Sequence, residues 1–206
     1  MIPEVVVNRV IACLLLLLAA SGCSSTAPVP EDRFYRLEPV GPLQSLERPL
    51  LTGGLAVGDV LADPMRSGRA ILYGERDRPL QLKRYHYEFW VDQPPRMVHQ
   101  VLLSWLRASG VADSVADGDD VSAAWRLSGQ LLKFEEIRDD SGAAHVEVAM
   151  QFSLSSASSN RPLWTRDYTR RQPVGGEPMY ATAQAMQSAL TGLFSELQAD
   201  LAAPAL

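Results

Sequence analysis

"AHVEVAMQFSLS" (Ala144–Ser155) alternates without a break. Val146, Val148, Met150, Phe152 and Leu154 fall on one side of an extended chain, and Glu147, Ala149, Gln151 and Ser153 fall on the other. Successive side chains of a strand point to opposite faces, so this pattern predicts a half-buried antiparallel strand. "RDDSG" (Arg138–Gly142) precedes it and "SASSNRP" (Ser156–Pro162) follows, both rich in residues that turn the chain. Beyond these connectors lie two further strand-like stretches, Ala124–Ile137 and Leu163–Pro173. Together the three predict a meander.

Toward the C-terminus, Glu177–Ala203 carries Met186, Leu190, Leu193, Phe194, Leu197 and Leu201 at steps of three and four. That spacing predicts a long helix with one apolar stripe, laid across the sheet. On the other side, Pro94-Pro95 opens a second helix, because a first-turn N–H has no intrahelical partner to lose. Met97, Val98, Val101, Leu102, Trp105 and Leu106 form its apolar stripe, and Gly110 is its expected stop. "DSVADGDD" (Asp113–Asp120) reads as a turn.

Earlier strands are expected at Phe34–Leu37, Leu55–Leu61, Ala70–Arg76 and Gln81–Trp90. The second follows Gly53-Gly54 and stops at Asp63-Pro64, since a residue before proline leaves helical space. In the last, Lys83, Tyr85, Tyr87 and Phe89 share a face that is the expected core side, against Leu82, Arg84, His86, Glu88 and Trp90. The expected architecture is a single α/β domain: three-layer-like, with a mixed sheet, an antiparallel C-terminal meander and a long closing C-terminal helix. No internal repeat is visible.

The N-terminus reads differently. Val10–Ala20 is an apolar run of eleven residues, preceded by Arg9 and followed by Ser21-Gly22-Cys23. A bilayer span needs about 20 apolar residues, so the order of basic, short apolar and small residues is that of a secretory leader. The cysteine just after the small residues resembles the lipobox of bacterial lipoproteins, although Ala20 stands where that pattern most often has Leu. The resemblance implies that Cys23 receives a diacylglycerol, that the leader is cut before it, and that the new amine is acylated. Two or more chains make a stable anchor. The expected divisions are therefore a leader over 1–22, a flexible tether over 23–32 and a domain over 33–206. Ser24, rather than an Asp, follows the cysteine, which in the Gram-negative sorting pattern favours the outer membrane.

Cys13 leaves with the leader and Cys23 is blocked, so no thiol remains for a disulfide, a metal or a nucleophile. The net charge is −5, and Lys83 and Lys133 are the only lysines, which argues against a nucleic-acid partner and against a lysine-rich membrane patch. His86, His99 and His145 share no short spacing. "DGDD" (Asp117–Asp120) resembles a calcium loop, but position twelve from Asp117 is Ser128 and from Asp113 is Ala124. Glu135-Glu136 and Asp139-Asp140 flank a hairpin and are expected in water. No nucleophile elbow, phosphate loop or dinucleotide fingerprint is present. No catalytic residue, metal or cofactor is indicated. "WTRDYTRRQP" (Trp164–Pro173) interleaves aromatics with arginines, and Trp90, Trp164, Arg166, Tyr168 and Arg170 are candidate partner anchors.

Taken in order, these motifs resemble the ABC-type transport auxiliary lipoproteins, the Pqi-type components of mammalian-cell-entry (MCE) systems. "FYRL" (Phe34–Leu37) follows the tether, and Ile71–Leu106 is similar to the central segment of that family through Tyr73, Trp90, Asp92, Pro94 and Pro95. Phe89 stands where the family often has Arg. "LSGQLLKFE" (Leu127–Glu135), "PLWTRDYT" (Pro162–Thr169) and the final helix complete the order. The resemblance implies a non-enzymatic docking subunit on the outer membrane, facing the periplasm. Its implied partners are a periplasmic MCE protein and an ABC-type or permease component, and a homo-oligomeric ring is implied by the ring form of MCE assemblies. Two other classes stay open: an outer-membrane assembly lipoprotein that chaperones a β-barrel or envelope polymer, and an enzyme whose site is assembled from distant residues.

Overall fold

The computed structural model describes residues 29–42, 45–118, 120, 122–156, 159, 161–176 and 178–202; the leader, Cys23 and the tether through Pro28 lie outside them. In chain order the elements are β1 (Arg33–Tyr35), β2 (Leu51–Ala62), β3 (Ala70–Glu75), β4 (Arg78–Trp90), α1 (Pro94–Ser109), β5 (Ala112–Asp117), β6 (Trp125–Arg138), β7 (Ala144–Ser156), β8 (Pro162–Pro173) and α2 (Pro178–Ala202). Asp32–Leu206 is one compact unit.

The alternating stretch is β7, the middle of the expected meander. It runs antiparallel to β6, from Trp125 opposite Ser156 to Arg138 opposite Ala144, and antiparallel to β8 on its other edge. The free edge of β6 takes two parallel partners in succession. β2 lies along Trp125–Leu131 and β3 along Glu135–Arg138. So β2 and β3 share one edge end to end, and residues 63–69 between them leave the sheet. β5 extends the sheet beyond β2, while β4 and then β1 extend it beyond β3. A bulge between Leu131 and Lys133 shifts the parity of β6. Leu127 and Leu131 before it, and Phe134 and Glu136 after it, are consequently all buried.

Both helices lie on the same side of this sheet. α1 rests on β2 and β5, α2 rests on β7 and β8, and the rings of Trp105 and Phe194 meet 6.1 Å apart between the two helices. The α/β domain with its mixed sheet, meander and closing helix is as expected. Its layers are two, helices over sheet, rather than a three-layer-like stack. The apolar stripe of α2 is buried from Met186 to Leu201 against Val146, Val148, Met150, Phe152 and Leu154. Burying each such side chain is worth about 1.5–3 kcal/mol. α1 begins at Pro94 and Pro95, and Gly110 closes it with φ 66°, a left-handed conformation that costs glycine nothing.

Two local expectations are overturned. The stretch read as a turn, Asp113–Asp120, is strand β5 as far as Asp117, a polar edge strand parallel to β2. Asp113 is engaged there: its Oδ2 accepts the Gly53 N–H at 2.6 Å, where β2 is irregular and Gly53 sits at φ 95°. In β4 the aromatic face is not the core side. Trp90 is 1% exposed and packs on Phe134 at 5.3 Å, whereas Tyr87 is exposed. The reason is a register irregularity that pairs Ala70 with Phe89 but Leu72 with Arg84. The extra β4 residues break strict alternation, so Tyr85 and Trp90 both reach the helix side despite their odd spacing.

Candidate functional site

Cys23, the expected lipidation site, lies outside the described residues. The charged and aromatic candidates are inside them, and they sort into three places on the sheet.

On the face turned away from the helices, two carboxylates stand directly opposite each other, Glu135 on β6 and Glu147 on β7. Like charges in that relation repel. Each is neutralised by cations from elsewhere. Arg66, on the segment between β2 and β3, grips Glu135 with two nitrogens (Nε–Oε2 3.1 Å, Nη2–Oε1 3.0 Å) and reaches Asp63 with a third. Lys133 and Arg171 both donate to Glu147, at 2.9 and 2.8 Å. Burial would raise the Glu147 pKa, but the bonds from Lys133 and Arg171 outweigh it and hold the carboxyl below its usual range.

On the helix side, Glu136 is 2% exposed. It accepts hydrogen bonds from the Tyr85 hydroxyl (2.9 Å), the Thr182 hydroxyl (2.6 Å) and the Arg138 guanidinium. One carboxylate thus ties β4, β6 and α2 together. Burial, with the Glu136 charge beside it, pushes the Tyr85 phenol well above its ordinary range. The expectation that Glu135-Glu136 sits in water beside the hairpin is therefore wrong. The pair lies inside β6, separated from the hairpin by Ile137 and Arg138, and its partners come from residues 66, 85 and 182. Asp139 does occupy the hairpin, where it accepts the Ser141 and Ala143 N–H groups. With every buried oxygen of Glu136 held by a fixed donor, this carboxylate acts as a tie rather than as a free acid or base.

The third place is the margin of β8 and α2. Arg166 pairs with Asp200 at 2.6 Å, the Tyr168 hydroxyl donates to the same carboxylate at 2.7 Å, and Arg170 pairs with Glu196. Arg166 also lies over the Trp164 ring at 5.3 Å. Burial raises the Asp200 pKa, but Arg166 and Tyr168 lower it further than that, so Asp200 stays ionised below the usual carboxylate range. Of the candidate partner anchors, the four on β8 are thus brought together, and three of them, Arg166, Tyr168 and Arg170, clamp α2 to the sheet. Arg166 and Arg170 keep part of their side chains in solvent. Trp90 is apart from them, in the core beside Phe134.

The histidines stay on three separate elements. His99 on α1 is buried and meets Asp117 Oδ1 at 2.7 Å, His86 is exposed on β4, and His145 begins β7. Among the described residues, no group of three or more His, Cys, Asp or Glu is arranged to hold a metal, and no helix is long and apolar enough to cross a membrane.

Sequence reasoning missed one surface. The segment from Phe34 to Val40 and the first turns of α2 enclose a groove lined by Phe34, Val40, Tyr180 and Ala183. Phe34 is 54% exposed and Tyr180 58%. The available signal was the proximity of an aromatic at position 34 to the end of the tether, which pattern reading absorbed into a strand.

Comparison with known proteins bears on this architecture as a whole. The chain superposes on the crystal structure of a Xanthomonas campestris protein described with the family-model DUF330, with a TM-score of 0.71 and 20% identity, over 81% of this chain and 92% of that one. It also superposes on an uncharacterized protein (TM-score 0.65, 13% identity, 84% and 99% covered) and on a hypothetical protein of Chlamydia trachomatis (TM-score 0.50, 11% identity, 74% and 96% covered). At these identities the likeness is one of fold. No curated protein matches the sequence. A family model described as "ABC-type transport auxiliary lipoprotein component" matches residues 35–198.

Proposed function

Because this chain belongs to the family of ABC-type transport auxiliary lipoprotein components, we propose that it is a lipid-anchored, non-enzymatic docking subunit of an ABC/MCE-type intermembrane lipid-transport system. The observation that carries the reading is the family match running from β1 nearly to the end of α2, beginning twelve residues after a lipobox-like Cys23. In this reading Cys23 holds the domain on the outer membrane, facing the periplasm. The domain meets a periplasmic MCE protein whose inner-membrane partner is an ABC-type or permease component. The solvent-facing rim of Trp164, Arg166 and Arg170 is the docking margin. It also suits a ring of copies matched to an MCE ring. The buried carboxylates support a binding role over a chemical one, since they are spent in holding strands and helix together.

Isolation of the tagged lipoprotein from its native membranes tests this. The expected co-purifying proteins are an MCE-domain protein and its permease or ABC component. Recovery of a β-barrel or of polymer-export machinery, with no MCE component, overturns the proposal in favour of an assembly lipoprotein.

A further inference from the structure

β1 is the outermost strand at its end of the sheet, and it begins at Arg33, one residue after the tether ends. Its Phe34 side chain stacks on Phe89 of β4 at 5.8 Å, and the Arg69 guanidinium lies over the Phe34 ring at 5.5 Å. Around the strand edge, Phe34 shares the groove of the α2 N-terminal half with Tyr180, and Val91, whose N–H donates to the Tyr35 carbonyl, is also exposed. The exposed apolar groups therefore converge on the corner where the tether enters the domain. Arg33, paired with Glu88, and Arg36, near Glu38, bring further guanidinium groups there, and both side chains keep most of their surface in solvent.

The chain outside the domain sets what this corner can meet. Ser24–Asp32 is nine residues long and can span at most about 30 Å when fully extended. A lipid at Cys23 consequently keeps the Phe34 corner within about that distance of a bilayer at all times. A surface held so close needs only weak intrinsic affinity, because tethering makes its binding intramolecular at about millimolar effective concentration. Aromatic rings with arginines beside them match the water–membrane interface, where rings enter the headgroup boundary and guanidinium groups stay with phosphate.

We propose that the corner built by Phe34, Phe89, Val91 and Tyr180 is a membrane-contact surface, which lies against the phospholipid headgroup layer of the bilayer holding the anchor. The proposal rests on the lipid-anchor reading of Cys23. It gives the domain a defined attitude, with β1 toward the membrane and β5, at the other end of the strand order, away from it.

The test uses the full lipidated protein in vesicles of phosphatidylethanolamine and phosphatidylglycerol. Nitroxide labels are placed on Tyr180→Cys and, as a control, on Ser114→Cys of β5. Both positions are exposed, and a thioether-linked Cys23 does not compete for label. The expected result is that the label at 180 loses its accessibility to an aqueous nickel quencher and gains accessibility to oxygen when vesicles are present, while the label at 114 remains aqueous. Phe34→Ser should restore nickel access at 180 without releasing the protein from the vesicles. A protein that floats with the vesicles but shows equal aqueous access at both labels overturns the contact surface and leaves the anchor standing. A protein that fails to float, with Cys23 open to thiol reagents, overturns the anchor and the contact surface together. Because the vesicles contain lipid alone, protection there excludes a partner of another sequence, and loss of nickel access without gain of oxygen access marks a second copy of the chain and overturns the membrane contact.

Discussion

Glu136→Ala removes the single acceptor shared by Tyr85, Arg138 and Thr182. The cost divides by what each donor does next. Tyr85 is half-buried, so its hydroxyl loses its acceptor at about 1–3 kcal/mol, and the buried Thr182 hydroxyl loses a bond to a charged group, at about 1.5–3 kcal/mol. The Arg138 side chain is 41% exposed and turns to water at little cost. The sum is about 2.5–6 kcal/mol, which spans the roughly 3–5 kcal/mol seen when one partner of a buried ionic group is removed. Glu136→Gln keeps the shape and one acceptor oxygen and should cost about 1–2 kcal/mol. Arg138→Ala should fall below Glu136→Ala, because two hydroxyl donors still satisfy the carboxylate. Urea unfolding of the chain carrying Cys23→Ala gives the midpoint for each variant, read at unchanged slope so that stability alone is compared. A loss of less than about 1 kcal/mol for Glu136→Ala would place it with ordinary surface substitutions and refute the structural role assigned to this carboxylate.

Three further outcomes follow from the same packing. Glu147 and Asp200 titrate below their ordinary range in the fold, so their stabilisation is complete above the unfolded carboxylate value of about 4 and is lost as pH falls through the lower folded values; Glu147→Gln with Asp200→Asn should flatten the acid limb of unfolding midpoint against pH, and an unchanged limb contradicts the assignment. Gly53→Ala puts a Cβ 2.9 Å from that of Ala124 on a residue with φ 95°, so it should cost about 1–3 kcal/mol by urea unfolding, with no loss counting against the β2 geometry. Phe194→Ala empties a fully buried site beside Trp105, and a drop of about 3–5 kcal/mol in the same assay is expected, whereas a near-neutral result would mean that α2 does not close the core.

What the sequence reveals and what it hides divide along sequence separation. β7 is legible because one face of it is buried along its length, and its neighbours β6 and β8 are joined to it by short connectors, so local pattern and tertiary pairing agree. α1 and α2 are legible for the same reason, through proline, glycine and a continuous stripe. β5 is not, because a polar edge strand gains its structure from parallel pairing with β2, some sixty residues earlier, and carries no apolar alternation of its own. The facing of Tyr85 against Trp90 fails because alternation assumes an unbroken ladder, and β4 contains a bulge. Glu135 and Glu136 look like solvated turn residues until Arg66, Tyr85 and Thr182 arrive from distant parts of the chain. The aromatics and arginines of β8 are legible as one face of a strand, but Asp200 and Glu196, which engage them, lie on a helix whose docking side only the fold defines. The Phe34 corner was hidden most fully, since exposure at a sheet edge depends on where the sheet stops.

We hold that this domain works from a lipid on Cys23, and the mass of the N-terminal peptide of the protein purified from its own membranes is the decisive measurement. The claim predicts a peptide that begins at Cys23 and carries a thioether-linked diacylglycerol with an acylated amine. A peptide that begins at Met1, or one that contains Cys23 as a free thiol, contradicts it.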